Sequence, residues 1–425
     1  MGFADQYLNK QKGFSPVFNH PPSEKLRFAV VIPAFCEPGL TRTLDSLWNC
    51  SRPTGYTEVL IVVNSSENAP PSVVEANLAT LNTVSAWIDE HNDPTLRYLL
   101  MDKTNMPSRD AGVGLARKTG MDEALSRFNQ ISRPDGFILS FDADSSCDIN
   151  YLTAIEEATQ NNPSVNGLNV YFEHPVSGTE FPENVYRGII DYELHLRYIN
   201  QFLRFAGFPF AYHTIGSCFG VRADVYAAQG GMNKRKAGED FYFLHKIIPL
   251  GHFAELNTTR VIPSPRPSDR VPFGTGVAVG KYLSSNEAGT LTYAPECFLT
   301  LRLMLQQVER LFRANTADIA SMMKTLPKPL SDYLQDQHAG KAIGEINANS
   351  RSVSSFTNRF FRWFDAFRIV KYLNYASRDY FSQIPVREAA VQLLEITGSK
   401  NLPGAIGNEE LLMMLRGIER KGGIR

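Results

Sequence analysis

Gly136-Phe-Ile-Leu-Ser-Phe-Asp-Ala-Asp144 is an apolar run that ends abruptly on two acidic residues. It has the length and bounding of a buried strand, and it closes a series. Arg27-Phe-Ala-Val-Val-Ile-Pro33, then 58–63 (Glu-Val-Leu-Ile-Val-Val) and 96–101 are earlier runs of the same kind. Between them lie segments of helical period: 40–48, with apolar residues at 40, 44, 47 and 48, then about 72–90 and 114–128. Strand and helix alternating at this spacing predict βαβ units, hence a mostly parallel, Rossmann-like sheet with right-handed crossovers. Ligands of such sheets sit beyond the carboxyl ends of the strands. Those ends carry polar or special residues: Pro33-Ala-Phe-Cys-Glu37, Asn64-Ser-Ser-Glu67, 103–114 and Asp142-Ala-Asp144.

Past Asp144 the pattern loosens. Strands are expected at 165–172 and 212–221, a long aromatic-rich helix at 183–205, and a helix at 238–250 that opens on an acidic pair. The stretch 263–276 is too rich in proline and glycine for regular structure. Only helices are expected afterwards, at 297–314, 359–375, 386–395 and 409–420. The expected organisation is an N-terminal extension (1–26), an α/β domain (27–290) and an all-helical C-terminal domain (291–425).

Composition narrows the function. The 425 residues are 43% hydrophobic and 20% charged, which suits a chain with a sizeable core. With 43 basic against 44 acidic residues there is no basic excess for nucleic acid, so no nucleic-acid partner is expected. Five scattered cysteines without a C-x-x-C pair argue against a zinc site or disulfide framework and for a reducing compartment. No apolar run of about 18 residues is present, and 1–20 lacks a secretory core. The expected location is cytoplasmic, free or peripheral at the inner membrane face.

Asp142 and Asp144 leave the exposed end of a strand. Two carboxylates at that spacing can bind a hard divalent cation and leave positions for water and phosphate; alone, the pattern is more often a solvated turn. Glu239 and Asp240 open a helix, where the dipole favours acids in any case. In a site, Asp240 could instead take a proton from a hydroxyl.

Taken together these residues resemble a family. Val30-Val-Ile-Pro-Ala-Phe-Cys-Glu37, Ala116-Arg-Lys-Thr-Gly-Met121, Phe141-Asp-Ala-Asp144, Gly230-Gly-Met232 and Gly238-Glu-Asp240 resemble, in order and spacing, the motifs of family 2 glycosyltransferases of the GT-A fold. The likeness covers about 27–262. It implies an enzyme that moves a sugar from a nucleotide-sugar donor to a carbohydrate or lipid-linked acceptor. Pro33, Ala34, Glu37, Asn64, Arg117 and Asp142 would line the donor site. Asp142 and Asp144 would hold Mg2+ or Mn2+. Asp240 would be the base of an inverting transfer, with Glu239 positioning the acceptor. Asn64-Ser65 stands where the family has an acidic pair, and Lys118 replaces an asparagine. The Q-x-x-R-W signature of processive synthases is missing, with Trp48, Trp87 and Trp363 all elsewhere.

Rival readings are a sugar-phosphate nucleotidyltransferase, which would need a glycine-rich loop where Pro33-Ala-Phe-Cys-Glu37 stands, and a non-catalytic sugar-binding protein on a transferase scaffold. A retaining transferase is also compatible with the fold. Weaker candidates are Lys103 and Arg109 for phosphate, Arg266 and Arg270 on a closing loop, and His213, His245 or His252 as a third metal ligand. The aromatics of 186–210 could stack on an acceptor, and the basic, aromatic stretch 359–372 could lie on a membrane. Core packing is the first reading of both.

Overall fold

The computed structural model describes residues 2–285, 289–399, 402 and 406–424. The chain forms two compact units, Met1–Pro175 with Thr214–Val277, and Val176–His213 with Ala278–Arg425.

The first unit carries the mixed, mostly parallel sheet. Its strands are β1 (Leu26–Ala34), β2 (Tyr56–Ser66), β3 (Leu96–Met106), β4 (Phe137–Ser140), β5 (Ser146–Cys147), β6 (Gly167–Phe172), β7 (Phe219–Arg222) and β8 (Phe253–Ile262). They lie in the order β3-β2-β1-β4-β7-β6-β8-β5. β1, β2, β3 and β4 are mutually parallel, with Val30 opposite both Val59 and Leu139. β7 runs antiparallel to β4 and β6, and β8 parallel to β6. From Phe28 through Ala34 every residue of β1 is buried. That is why this strand reads as a continuous apolar run: helices cover both faces of a parallel sheet.

Several expectations change. Of the expected strand 212–221 only the last three residues form, in Phe219–Arg222; the carbonyl of Gly216 is taken by side chains rather than by a neighbouring strand. β8 has no counterpart among the expected strands, and the helix expected after Asp148 is Tyr151–Asn161, with Asn150 at its N-cap position. The N-terminal residues pack onto the helix Val113–Gln130. Tyr7 donates to Asp122 at 2.7 Å, Lys118 donates to both at 2.7 Å, and Val17 donates to Glu123 at 2.8 Å. Lys118 is therefore spent on anchoring this segment.

The second unit is helical apart from a two-stranded pairing of Leu291–Thr292 with Ile384–Pro385. Its core gathers Leu194, Tyr198 and Phe202 of the helix Glu183–Phe205 with Phe298, Phe360, Tyr372, Leu393 and Leu412. Tyr186, Tyr198 and Phe202 are buried, so these aromatics of that helix serve packing, while Tyr192 and Phe205 are half-buried. The expected helix 359–375 is two helices, Val353–Trp363 and Ala366–Asp379. Asp365 starts the second, its carboxylate accepting from the backbone N–H of Arg368 at 2.9 Å. Phe360, Phe361, Phe364, Ile369 and Tyr372 are buried, so the basic-aromatic stretch also resolves as core. The expected helix 297–314 is Pro295–Leu305 followed by a short 3-10 turn, and Thr316–Thr325, Lys328–Asp336 and Ala339–Ala348 are further helices. Among the described residues no helix is long and apolar enough to cross a membrane.

Candidate functional site

Charged side chains meet at the carboxyl ends of β1 and β4, and Arg117 is their hub. It projects from the helix Val113–Gln130 and is only 2% exposed. Its Nη2 donates to Asp142 Oδ1 at 2.9 Å, its Nε to Glu239 Oε1 at 3.1 Å, and its Nη1 to the Gly216 carbonyl at 3.0 Å and to Ser140 Oγ. Ser140 in turn donates to the same carbonyl at 2.6 Å. Burial alone would lower the guanidinium pKa; Asp142, Glu239 and Asp240 outweigh it and push it up. One cation thus ties the end of β4 to the start of the helix Glu239–Ile247.

Asp240 stands beside that pair. Its Oδ1 accepts from the backbone N–H of Phe241 at 2.7 Å. A Cβ added to Gly216 would lie 3.3 Å from Asp240 Oδ2 and 2.9 Å from Arg117 Nη2, so only glycine lets both side chains approach. Gly238, at φ 67° in the left-handed region, turns the chain into the helix. Burial and the adjacent Glu239 push the Asp240 carboxyl up to about 7, with Arg117 opposing.

At the other flank Cys36, at φ 49°, bends the chain after β1 and is held by its N–H to Asn77 Oδ1 at 2.9 Å. A non-glycine residue in that conformation is strained, and here the strain aims Glu37. Glu37 is buried, yet Arg266 grips both its oxygens at 2.6 and 2.9 Å and Arg270 adds a third contact at 2.7 Å. Burial would raise the Glu37 pKa, but the two guanidinium groups hold it below the usual carboxylate range. Arg266 also reaches Asp144 Oδ2 at 3.1 Å. Burial, Asp142 and Glu37 push the Asp144 carboxyl up to about 6; its side chain remains 35% exposed, so solvent tempers that rise.

The structure therefore brings together Glu37, Arg117, Asp142, Asp144, Glu239 and Asp240, with Pro33 and Ala34 at the buried end of β1. Asn64 is also buried at the strand ends, but its amide donates to the Ala34 carbonyl at 2.8 Å and its own carbonyl accepts from Asn77 at 3.0 Å. Arg109 is exposed. His213 lies in the second unit, 3.1 Å from Glu419, and His252 pairs with Ser164 at 3.2 Å. A small cleft of about 210 Å3 opens beside Glu37, Thr41, Ala76 and Thr80. It is too small for a nucleotide. Sequence reasoning missed Ser140 and Gly216. A serine closing an otherwise apolar strand was the available signal. It also missed Phe273, 56% exposed, whose ring lies against Gly238.

The acidic set suits a hard cation. Its donors are oxygens, and the Asp144 anion is opposed by Asp142 and Glu37, a penalty that a divalent ion would relieve. Among the described residues no group of three or more His, Cys, Asp or Glu is set to hold a metal. Asp142 and Asp144 would be two ligands, with the remaining positions left to substrate and water.

No family model matches the chain, and no curated protein sequence matches it. Among solved structures it is similar to residues 1–349 of S. aureus TarS in complex with UDP-GlcNAc, at 13% identity and a TM-score of 0.40 over 81% of this chain and 92% of that one. It is also similar to the mannosyltransferase PcManGT of Pyrobaculum calidifontis in complex with GDP-Man and Mn2+, at 16% identity and a TM-score of 0.34 over 88% and 91%. Likenesses this distant leave the function to the side chains themselves.

Proposed function

We propose that the chain is a glycosyltransferase that passes a sugar from a nucleotide-diphosphate sugar to an acceptor hydroxyl with inversion. The observation that carries this reading is the convergence of Glu37, Arg117, Asp142, Asp144, Asp240, Arg266 and Arg270 from separate segments onto one end of a parallel sheet. Buried and half-buried charges are poor stabilisers, so such a gathering is better explained by a charged substrate than by folding.

In this reading Asp142 and Asp144 hold Mg2+ or Mn2+, which when bound neutralises charge on the departing diphosphate. Arg117 fixes Asp142 and Glu239 in place and contacts no substrate itself. Arg266 and Arg270 leave Glu37 and Asp144 for the donor phosphates. Asp240 accepts the proton of the acceptor hydroxyl as its oxygen bonds to the anomeric carbon. On the opposite face the carbon–oxygen bond to the diphosphate breaks, and nucleoside diphosphate departs.

A thermal-shift panel of nucleotide sugars and nucleoside diphosphates, each with Mn2+ or with chelator, tests the donor site. Stabilisation by one nucleotide family only with metal is expected; no shift with any donor would sink the reading. The anomeric configuration of the product, read by NMR, tests inversion.

A further inference from the structure

Beside the candidate base runs Asn233-Lys-Arg-Lys236, with three consecutive exposed cations, in a chain whose net charge is only -1. The segment is fixed. Asn233 Nδ2 donates to the Glu239 carbonyl at 2.8 Å, and its Oδ1 accepts from the Arg235 N–H at 3.0 Å. The Arg235 carbonyl lies against Gly114, where any Cβ would collide with it. Each cation is seated as well. The Arg235 guanidinium lies 3.5 Å from the Tyr242 ring centroid, Lys236 Nζ donates to the Ser108 carbonyl at 3.3 Å, and Lys234 is 3.5 Å from Asp110. Gly114, which the Arg235 carbonyl abuts, lies one helix turn before Arg117, so the strip borders the hub that stands beside the candidate base.

Cations that serve solubility keep their rotamer freedom; holding three in place costs entropy that a ligand can return. Arg109 is exposed and adjoins Asp110, the carboxylate that Lys234 pairs with, and Glu67 accepts from the Ser108 N–H at 3.0 Å, so four cations and two carboxylates belong to this strip and its neighbours in sequence and contact. The donor phosphates already have Arg266 and Arg270. Resting on the glycosyl-transfer reading, we propose that Lys234, Arg235 and Lys236 form an acceptor subsite for an anion. The acceptor carries a phosphate or carboxylate near the hydroxyl that is glycosylated, and a neutral sugar leaves the subsite unfilled.

The test uses the full chain, the donor found in the thermal-shift panel, and three acceptors: methyl glucoside, its 6-phosphate and methyl glucuronide. Nucleoside diphosphate release is expected to rise at least about tenfold more with an anionic acceptor than with the neutral one, equivalent to about 1.4 kcal/mol. The advantage should shrink between about 50 mM and about 500 mM salt. Which of the two anions works separates phosphate from carboxylate. K234A/K236A and R235A should lose the advantage, and their donor-dependent thermal shift shows that they are folded. Equal use of all three acceptors, use of none, or an advantage that survives in the variants overturns the subsite. Failure of every donor to bind instead overturns the glycosyl-transfer reading beneath it.

Discussion

Arg117 touches four groups at once, so its loss should be felt in stability before chemistry. Arg117→Ala would leave Glu239 buried without its cation, at a cost of about 3–5 kcal/mol. A large drop in thermal midpoint with donor affinity also lost is expected; an unchanged midpoint would show the hub to be ornamental. Asp240 carries the opposite tension. Its folded pKa, pushed up to about 7, lies above the ordinary carboxylate value, so the fold prefers the protonated form and stability falls as pH rises through that interval. Activity needs the ionised form and should rise with pH toward about 7. Asp240→Asn should therefore bind donor, transfer nothing, and gain thermal stability over the parent above pH 7. A pH-independent stability difference would remove the assignment. At this scale the sequence was informative where motifs named the residues, as with Asp142, Asp144 and Asp240. It was silent on Gly216 and marked Ser140 only as a serine closing an apolar strand, because the roles of both arise where distant segments meet.

Elements were legible in proportion to how continuous their apolar signal is. β1 and β2 are buried on both faces and stand out as runs; β8 mixes Asn257, Thr258, Thr259 and Arg260 into its span and does not. The break at Phe364-Asp365 was hidden because apolar residues continue across it. The irregular stretch 263–274 was visible as such, but its grip on Glu37 was not, since no local pattern encodes a partner more than 200 residues away. Arg266→Ala with Arg270→Ala should raise donor KM by about tenfold or more through lost charge-assisted bonds, with kcat changed less. Equal loss in kcat and kcat/KM would place these arginines in the transition state instead.

In the whole molecule, the excursion of 176–213 into the helical unit could not be read from sequence, because the long helix has the same period wherever it packs. Its buried charges link that helix to the C-terminal helix Asn408–Arg420. Glu193 accepts from Arg197 at 2.8 Å and from Arg416 at 2.7 and 2.8 Å, while Glu419 pairs with Arg197, Gln201 and His213. Burial would raise the Glu419 pKa, but Arg197 and His213 hold it down to about 2. Being depressed, it contributes stability that is full above the ordinary carboxylate range and lost as pH falls toward about 2. Glu419→Gln should cost about 3–5 kcal/mol at neutral pH and flatten the acid limb of a denaturation series. An acid limb identical to the parent's would show that the charge is not what holds the C-terminal helix.

The arginines of 263–274 have one more consequence. With Glu37 and Asp144 already neutralised from within, the resting chain supplies its own counter-ions. A metal arriving alone must evict a guanidinium group, and a nucleotide arriving alone must strip the acids of their cations. On the proposed reading the two trade partners when they arrive together, guanidinium to phosphate and Asp144 to metal, so Asp144 is never left without a cation. Such a site would work as an AND gate, quiet to either ion and responsive to the pair.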